Sequence, residues 1–525
     1  MKRVFEMRRR GVGDDDDDDD GVRNRVAFAH TSSVPMALGD EDEAHLRALG
    51  DTAGALVGGV PLAGTRGNNN TASASRSASP DVKARMVRRR ALWLRVSALA
   101  LALTLDATTP AYDTSRDINS RNSGSVDSWT GIQNPIGAFV CARAQSFNAW
   151  DGEHFVALSM DGYSFEHQHA FQPGYALAVR RATSLVRWVL SFARVVDVPV
   201  GGAHDECLTT LTATALSAYA YSLSVGAMLA FSSGLLKEQS LAMAATYLYA
   251  INPANAFFGS AYTESAFAWA QFTAGTLLQE NKIVAAGCYF AIATALRSNG
   301  ILNVLILLTH LGSQMFHTLK REDDAERHKK AARYVRSSVL ACLLAGAPYL
   351  AFGHYGEWLY CHRGIESAVR QRRPYCRGRS LTNVYGLIPA PLYGFIQKHY
   401  WGLGFLSSYT TRNLGNVLLG APAIALAAYA CRRFTVSQNR RLFVKEDQSV
   451  FVCSYFAVLG VMTLVAATYM HVQVATRFLS TSPAIYWALA YLGTDSTRWR
   501  YWVTFYYLSY ASVGVVLFTR FYPWT

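Results

Sequence analysis

Apolar segments separated by clusters of Lys and Arg fill the chain from Ala91 to the C-terminus, and this pattern limits the fold most strongly. Only 17% of the residues are charged, although that average includes a very polar N-terminal segment. A helix that spans a bilayer needs about 20 mainly apolar residues, because a backbone in lipid must satisfy its own hydrogen bonds. The sequence therefore predicts an all-α polytopic membrane protein.

The apolar segments give roughly eleven crossings by the length rule. Weak segments, such as 176–198 with its four arginines, fit an interfacial helix as well, which reduces the number to roughly eight. Arg95 is expected to snorkel toward the cytosolic end of the first span. The expected spans are 91–105, 176–198, 208–232, 240–258, 261–278, 283–313, 337–354, 414–431, 449–470, 478–493 and 501–520.

The net charge of +13 does not indicate nucleic-acid binding, because the basic residues form short clusters between apolar segments and no continuous basic face. The clusters at 83–90, 320–336 and 432–445 are typical of cytosolic loops that follow the positive-inside rule. With eleven crossings, two long polar loops, about 106–175 and 355–413, fall in the lumen.

Cys361 and Cys376 share the second of these loops. In an oxidising compartment they could form a disulfide, and two unpaired loop thiols fit the sequence equally well.

Residues 1–90 differ from the rest in composition, with an acidic run at 14–20 followed by Ser- and Asn-rich sequence. Such a segment buries too little apolar surface to offset its chain entropy, so we expect a disordered cytosolic tail. The first apolar segment is then expected to act as a signal anchor, and 91–525 to form the multi-span catalytic domain.

The first long loop contains two acid–histidine pairs, Glu153-His154 and Glu166-His167, and the first of them follows Trp150-Asp151. An aromatic loop resting on lipid headgroups would account for the tryptophan and phenylalanines but not for the paired acids and imidazoles. We interpret the loop as functional.

Ionisable residues also occur inside apolar surroundings, at Glu264 and at Arg297. Such groups usually face a cavity or a partner, so Glu264 and Arg297 either pair with each other or serve a substrate. Arg477, in a short turn after His471, is either a phosphate contact or an interfacial anchor.

The run Trp150-Asp151-Gly152-Glu153-His154-Phe155 and its continuation Glu166-His167-Gln168-His169-Ala170-Phe171-Gln172-Pro173-Gly174 closely resemble the PIG-V family, the second mannosyltransferase of glycosylphosphatidylinositol (GPI) assembly. Further blocks agree, in order along the chain: Tyr112-Asp113-Thr114-Ser115, Asn252-Pro253, Tyr262-Thr263-Glu264-Ser265, Arg297-Ser298-Asn299-Gly300, Phe395 to Trp401, Asn416 to Pro422, Thr476-Arg477-Phe478 and Ser482-Pro483.

The resemblance implies a GT-C-type glycosyltransferase of the endoplasmic-reticulum membrane, with a luminal active site and a cytosolic N-terminus. It implies dolichyl-phosphate mannose as donor, the mannosyl-glucosaminyl-phosphatidylinositol intermediate as acceptor, and an α1,6 linkage. A small membrane partner subunit is a further candidate. The expected catalytic residues are Asp151, Glu166 and His154; the expected substrate-binding residues are Trp150, Glu153, His167, Glu264, Arg297, Asn299, His399, Trp401, Gln473 and Arg477.

A β-linked mannosyl phosphate that gives an α-mannoside requires inversion, so one displacement with one general base suffices. Asp151 best matches the family position for that base. Arg297, His167 and Arg477 are candidates for stabilising the phosphate that leaves. We expect no cofactor and no metal, because Asp-x-Asp motifs occur only within the polar segment 1–90, in the acidic run and at Asp40-Glu41-Asp42.

Two other functions compete with this one. Another dolichyl-phosphate-sugar transferase, such as a protein O-mannosyltransferase, would share the luminal acid and the helix bundle. A lipid transporter or scaffold subunit would need a pathway of intramembrane charges, and few charges lie within the expected spans.

We predict that the N-terminal tail is dispensable for catalysis, because it cannot form a packed core. Deletion of residues 1–65, which keeps the basic cluster before the first span, should still rescue mannose transfer in cells that lack this chain. A stably expressed but inactive truncation would contradict the prediction.

Overall fold

The all-α prediction is confirmed by the computed structural model, whose described residues all lie in the unit Leu62–Thr525. Within these residues there is no β-strand, only an isolated antiparallel bridge between Leu236 and Val444. The described residues are 80–108, 135–193, 200, 202–321, 324–363, 373–376 and 391–522.

The α-helices, numbered in chain order, are α1 (Pro80–Thr108), α2 (Pro135–Ala144), α3 (Asp151–Asp161), α4 (Pro173–Phe192), α5 (Gly202–Leu235), α6 (Gln239–Ala250), α7 (Asn255–Gly259), α8 (Glu264–Gln279), α9 (Ile283–Leu296), α10 (Asn303–Arg321), α11 (Asp324–Glu357), α12 (Leu392–Trp401), α13 (Leu414–Phe434), α14 (Ser437–Arg440), α15 (Ser449–Thr468), α16 (Ala475–Leu479), α17 (Pro483–Asp495) and α18 (Thr497–Thr519). Short 3-10 turns connect several of them, among them Glu166–Ala170, Ser298–Leu302 and Val472–Val474.

Among the described residues, five helices are long and apolar enough to cross a membrane, which confirms a multi-span protein. The shorter helix α9 is also apolar. The expected total of eight to eleven crossings stays a prediction. The five segments are His204–Leu235, Glu326–His362, Thr411–Phe434, Glu446–Thr468 and Thr497–Thr519.

Two expected spans are interrupted. The span at 283–313 is broken at Arg297, whose backbone is extended with φ −148° and ψ 139°, so that α9 and α10 are separate helices. The span at 240–258 is broken at Asn252-Pro253, because proline restricts the preceding residue and lacks a backbone donor. The mean hydropathy of each span did not reveal its break, since the polar stretch at the break is short and apolar residues flank it on both sides.

Residues 324–336, expected to belong to a cytosolic basic loop, form the first turns of α11. The prediction of a loop there was wrong, because exposed basic residues are good helix formers and extend the apolar helix that follows.

Arg95 does not snorkel. Its side chain is buried at 2% exposure, with its guanidinium carbon 4.1 Å from the centroid of the Tyr221 ring. Its Nη1 donates to the carbonyl oxygen of Asn255 at 2.6 Å. This arginine therefore joins α1 to α5 and α7, since the aromatic face and the carbonyl supply the electron density that a buried cation needs.

Helix α5 separates two ends of the molecule. At 34 residues, it is about 50 Å long. Near its start, Cys207 is disulfide-bonded to Cys141 of α2, with the two Cα atoms 5.3 Å apart. At its other end, Lys445 Nζ donates to the carbonyl oxygens of Ser233 and Gly234 at 3.1 and 2.9 Å. The disulfide and the basic stretch that contains Lys445 thus lie at opposite ends of α5.

A second disulfide joins Cys361 to Cys376, with the Cα atoms 5.5 Å apart, so the bridged alternative is the one observed. Both cysteines are buried in a small core that also contains Tyr360, Tyr375 and Leu392. The Cys141–Cys207 bridge was not predicted, because no local pattern relates cysteines separated by 66 residues.

Helix α13 passes very close to the Val472–Val474 turn. A Cβ added at Gly420 would overlap the carbonyl oxygen of Val472, whereas one added at Gly415 of the same helix would meet nothing within 4 Å. The turn leads directly into α16, which carries Arg477.

We therefore predict that Gly420→Ala lowers stability by about 1–3 kcal/mol, because a backbone carbonyl must move to admit the methyl group. Gly415→Ala is the matched control and should be neutral or slightly stabilising. Thermal unfolding of the two variants in detergent measures the difference. Equal midpoints would contradict the close approach.

Candidate active site

Two carboxylates begin helices at the same place in the fold. Asp151 is the first residue of α3, and Glu264 is the first residue of α8. The N-terminus of a helix carries partial positive charge, which stabilises a carboxylate in the first turn. The helix N-terminus thus favours the ionised form of both carboxyl groups, apart from any contact with a basic side chain.

Trp150, the residue before Asp151, has a strained backbone with φ 58° and ψ −120°. A bulky residue at positive φ costs about 1–3 kcal/mol, and such strain persists only where the surroundings impose it. Its ring lies 6.2 Å from that of Phe521. The strained residue fixes the direction in which α3 begins and hence the position of the Asp151 carboxyl group.

Tyr262 connects the two loops that lead into α3 and α8. The backbone N–H of Asp151 donates to the Tyr262 hydroxyl at 3.0 Å, and this hydroxyl donates to the carbonyl oxygen of Ala149 at 2.9 Å. The Ser217 hydroxyl of α5 donates to the carbonyl oxygen of Tyr262 at 2.9 Å. Because every one of these groups is engaged, the two acidic helix ends are held together rigidly.

The two carboxylates meet two arginines, and we call Asp151, Glu264, Arg297 and Arg477 the charge network. Arg477 Nη2 lies 2.5 Å from Asp151 Oδ2, and Arg477 Nε lies 3.6 Å from Glu264 Oε1. Arg297 Nη1 donates to the same Glu264 oxygen. The network therefore runs from Asp151 through Arg477 and Glu264 to Arg297.

Burial differs among the four members of the network. The Glu264 side chain is 0% exposed, Arg477 13%, Arg297 14% and Asp151 19%. A fully buried carboxylate is tolerated only with close counter-charges, and Glu264 has two. Asp151 is the member that a substrate reaches most easily.

Arg297 is held by neutral partners as well. Its Nη1 donates to Thr263 Oγ1 at 3.2 Å, and its Nε donates to Asn299 Oδ1 at 3.3 Å. The extended backbone at Arg297 turns the side chain away from the axis of α9 and toward Glu264. The predicted residue Asn299 thus lies at the site and orients the guanidinium.

Arg477 packs between aromatic rings. Its guanidinium carbon lies 5.4 Å from the centroids of both Phe257 and Tyr262. Aromatic faces attract a planar cation and exclude water from it, which strengthens its interaction with Asp151.

The charge network keeps Asp151 ionised. Burial alone would raise the pKa of the Asp151 carboxyl, but the charge of Arg477 and the hydrogen bond from it, with smaller effects of His154 and Arg297, hold that pKa below its usual value. The Asp151–Arg477 pair therefore stabilises the fold at neutral pH, and this contribution is lost only as the pH falls through the lowered pKa.

His154 and His167 lie together in an aromatic cluster. Their ring centroids are 5.5 Å apart, and the ring of His154 stacks on Phe171 at 4.8 Å. The ring of His167 lies 5.6 Å from that of Tyr400, and Trp401 is 6.2 Å from Phe171. The cluster joins the first loop to α12, and it adjoins the charge network through His154, which lies on α3 with Asp151.

Glu166 belongs to a different group. Its Oε2 lies 4.0 Å from Arg373 Nε. Burial raises the pKa values of Tyr375 and Tyr400, and the charge of Glu166 raises them further. Within the described parts of the chain, the ion pair of Glu166 is with Arg373 and not with a member of the charge network. Glu166, which was expected to be catalytic together with Asp151, therefore makes a different set of contacts.

The remaining predicted residues lie around these two groups. His399 is exposed and stacks on Phe395 at 5.0 Å, and the carbonyl oxygen of Trp401 accepts a hydrogen bond from His471 Nε2 at 2.9 Å. Glu153 and Gln473 are half-buried. The block at 112–115 lies outside the described residues.

Sequence reasoning did not select Thr263, Phe257 or Arg373 as site residues. Thr263 is part of the Tyr262-Thr263-Glu264-Ser265 block, which was a usable signal. Arg373 is one of several arginines in a polar loop, and nothing local distinguishes it.

Within the described ranges, no group of three or more His, Cys, Asp or Glu side chains is arranged to hold a metal ion. The network itself is balanced, with two carboxylates against two guanidinium groups. It offers anion contacts and one accessible carboxylate, which is suited to proton transfer and phosphate binding.

The sequence is similar to known proteins over most of its length. The family described as Mannosyltransferase (PIG-V) matches residues 85–525. The GPI alpha-1,6-mannosyltransferase 2 of Homo sapiens is 28% identical over 376 residues, which cover 66% of this chain and 73% of the relative. The GPI mannosyltransferase 2 of Drosophila pseudoobscura pseudoobscura is 27% identical over 472 residues, which cover 84% and 99%.

Two solved structures of the oligosaccharyltransferase of Archaeoglobus fulgidus resemble the chain. Each is 12% identical to it, and the TM-scores are 0.35 and 0.37. The matches cover 82% and 81% of this chain but 55% and 56% of those chains. Because the family match includes every helix that carries the charge network, and covers most of the sequence, this chain belongs to the PIG-V family of mannosyltransferases.

Proposed function

We propose that this protein transfers mannose from dolichyl-phosphate mannose to the mannosyl-glucosaminyl-phosphatidylinositol intermediate, and so adds the second, α1,6-linked mannose of the GPI anchor. Family membership and the activities named for the relatives support the reaction. The observation that carries the proposal is the charge network, in which the ionised, accessible carboxylate of Asp151 pairs with Arg477, and the buried carboxylate of Glu264 joins Arg477 to Arg297.

We infer that the site faces the lumen of the endoplasmic reticulum. The basic stretch at one end of α5 fits the cytosolic side by the positive-inside rule. The Cys141–Cys207 disulfide at the other end fits an oxidising compartment. The site is on the disulfide side, since Tyr175 and Tyr262 bind α5 at Ala213 and Ser217.

Asp151 is the general base of this mechanism. Its Oδ2 is engaged by Arg477, and the carboxyl group is the most exposed in the network. The lowered pKa keeps it deprotonated and ready to accept a proton from the acceptor hydroxyl, although it also makes the carboxylate a weak base. Proton transfer is therefore expected to lag behind cleavage of the mannosyl–phosphate bond.

Arg297 and Arg477 stabilise the phosphate that leaves. The contacts of Arg297 with the described residues use Nε and Nη1, so Nη2 remains for a phosphate oxygen. Arginine suits this role because its planar fork binds phosphate through parallel hydrogen bonds. His167 is the third group available, from the aromatic cluster next to the network.

Four predicted residues contribute around this centre. His154 favours the ionised form of Asp151. Trp150 and Trp401 offer aromatic faces of the kind that pack against sugar rings. Glu166, with Arg373 and its tyrosines, is placed to bind polar groups of a substrate away from the base.

The proposed reaction is tested by feeding labelled mannose to cells that lack this chain and identifying the GPI intermediate that accumulates. An intermediate with one mannose, which gains the second when the chain is restored, supports the proposal. Accumulation of any other intermediate would reject it, and a defect confined to protein O-mannosylation would indicate the competing transferase.

Asp151→Asn should reduce mannose transfer by at least about 100-fold, because the amide keeps the size of the carboxylate but accepts no proton. Transfer to the acceptor by membranes with matched protein levels is the measurement. Asp161→Asn, at the exposed end of the same helix, is the control and should stay near wild type. Near-normal transfer by Asp151→Asn would show that Asp151 is not the general base.

Arg297→Lys should raise the donor KM steeply at unchanged protein level, because lysine keeps the charge near Glu264 but not the planar fork. Glu264→Gln should instead lower the amount of folded protein, since it leaves two buried guanidinium groups without that counter-charge.

The double variant Arg297→Met with Glu264→Gln separates the structural role of Arg297 from its role toward the donor. It removes one buried cation together with the anion, so expression should recover in part while donor binding stays weak. Recovery together with a normal donor KM would show that Arg297 does not serve the phosphate.

A further inference from the structure

A small cavity lies near the charge network and near the aromatic cluster, and no residue of either one lines it. Its volume is about 40 Å³, and its walls include His169, Gln172, Phe352 and Tyr393. The Tyr393 hydroxyl lies 3.1 Å from Ser298 Oγ, beside Arg297 and Asn299. His169 is two residues from His167 in the same 3-10 turn. The cavity therefore adjoins both the charge network and the aromatic cluster.

Two buried polar side chains in the wall have an atom without a partner. His169 and Gln172 are each 3% exposed, and within the described residues His169 Nε2 and Gln172 Oε1 make no hydrogen bond. Unpaired buried polar atoms are costly and uncommon in folded proteins, so each of them calls for a bound group.

The hydrogen-bond pattern fixes the tautomer of His169. The hydroxyl of Tyr360 has one hydrogen, which it donates to the carbonyl oxygen of Phe165 at 3.0 Å. Toward His169 Nδ1, at 3.2 Å, the same hydroxyl can therefore only accept. The proton of a neutral His169 is on Nδ1, and Nε2 presents a lone pair.

His169 is neutral under physiological conditions, since burial lowers the pKa of its imidazole to about 4. A neutral imidazole nitrogen and an amide oxygen are both acceptors, which would repel a phosphate or carboxylate. None of the residues that line the cavity is acidic, so a metal ion would lack charge compensation there. The group that fits is a neutral hydrogen-bond donor.

The surroundings favour a hydroxyl on a carbon skeleton. The ring of His169 stacks on Phe352 at 4.6 Å and 3°, so an apolar wall lies beside the two acceptors. The volume exceeds the roughly 10–15 Å³ that one water needs. It is too small for a whole sugar ring, and it admits one hydroxyl or hydroxymethyl group.

We propose that this cavity binds one hydroxyl of a substrate sugar, which donates to His169 Nε2 or Gln172 Oε1 and so sets the position of that sugar beside Asp151. The proposal rests on the proposed mannosyl transfer and names a contact that determines substrate specificity within it. Neither residue touches the reacting atoms in this scheme, so both are binding residues.

The test compares His169→Phe and Gln172→Met with the control His310→Phe in membranes that contain the full chain. His169→Phe keeps the ring on Phe352 and removes the lone pair of Nε2. His310→Phe makes the same change at another buried histidine, on α10, whose ring lies 5.8 Å from that of Phe451 and which lines neither the site nor the cavity. Loss of one neutral hydrogen bond should raise the KM of the sugar substrate by about 3- to 10-fold in His169→Phe and Gln172→Met. His310→Phe should stay within about twofold of wild type at matched protein level.

Mono-deoxy analogues of the acceptor and of the donor mannose then identify the hydroxyl and its source. The analogue that lacks the bound hydroxyl should have a raised KM with the wild-type chain and no further rise with His169→Phe. If every analogue is affected equally in both proteins, the cavity holds a structural water only and the proposal is overturned. An unchanged KM for both substrates in His169→Phe and Gln172→Met would also overturn it. Failure of the proposed function is a separate result, because the wild-type chain would then transfer no mannose to the unmodified acceptor.

Discussion

The buried carboxylate of Glu264, held between Arg297 and Arg477, is the interaction on which the rest of the site depends. A carboxylate with no exposure is stable only when its charge is matched and its lone pairs are used. The match requires three separate chain segments at one point: the start of α8, the break after α9 and the short helix α16. Because Arg477 also binds Asp151, the position of the accessible acid follows from the position of the buried one.

The charged residues of this site lie mainly at helix ends and at a helix break, and not along the faces of long helices. Asp151 and Glu264 begin helices, and Arg297 occupies an interruption. Irregular backbone at membrane depth is tolerated where protein surrounds it, and here the hydroxyl of Tyr262 and the side chain of Thr263 satisfy neighbouring groups. A helix end also directs several backbone donors at one point, which a continuous helix cannot do.

The sequence predicted the members of the network better than their pairing. Glu264 and Arg297 stood out because an ionisable residue in an apolar segment is a local signal, and Trp150-Asp151 stood out as part of an unusual loop. The Asp151–Arg477 contact joins residues 326 positions apart, and no period or spacing encodes it. The break at Arg297 was missed because hydropathy averages over it, and the buried position of Arg95 was missed because its aromatic and carbonyl partners are distant in sequence.

The same long separation in sequence delays the contact between Asp151 and Arg477 while the polypeptide is being synthesised. Ribosomes add about 5–20 residues per second, so Arg477 emerges roughly 15–65 s after Asp151. Glu264 gains Arg297 much sooner, since only 33 residues separate them. During that interval Asp151 lacks the cation that lowers its pKa in the finished protein. A nascent chain that stalls before Arg477 therefore carries Asp151 without the guanidinium partner that the finished protein supplies.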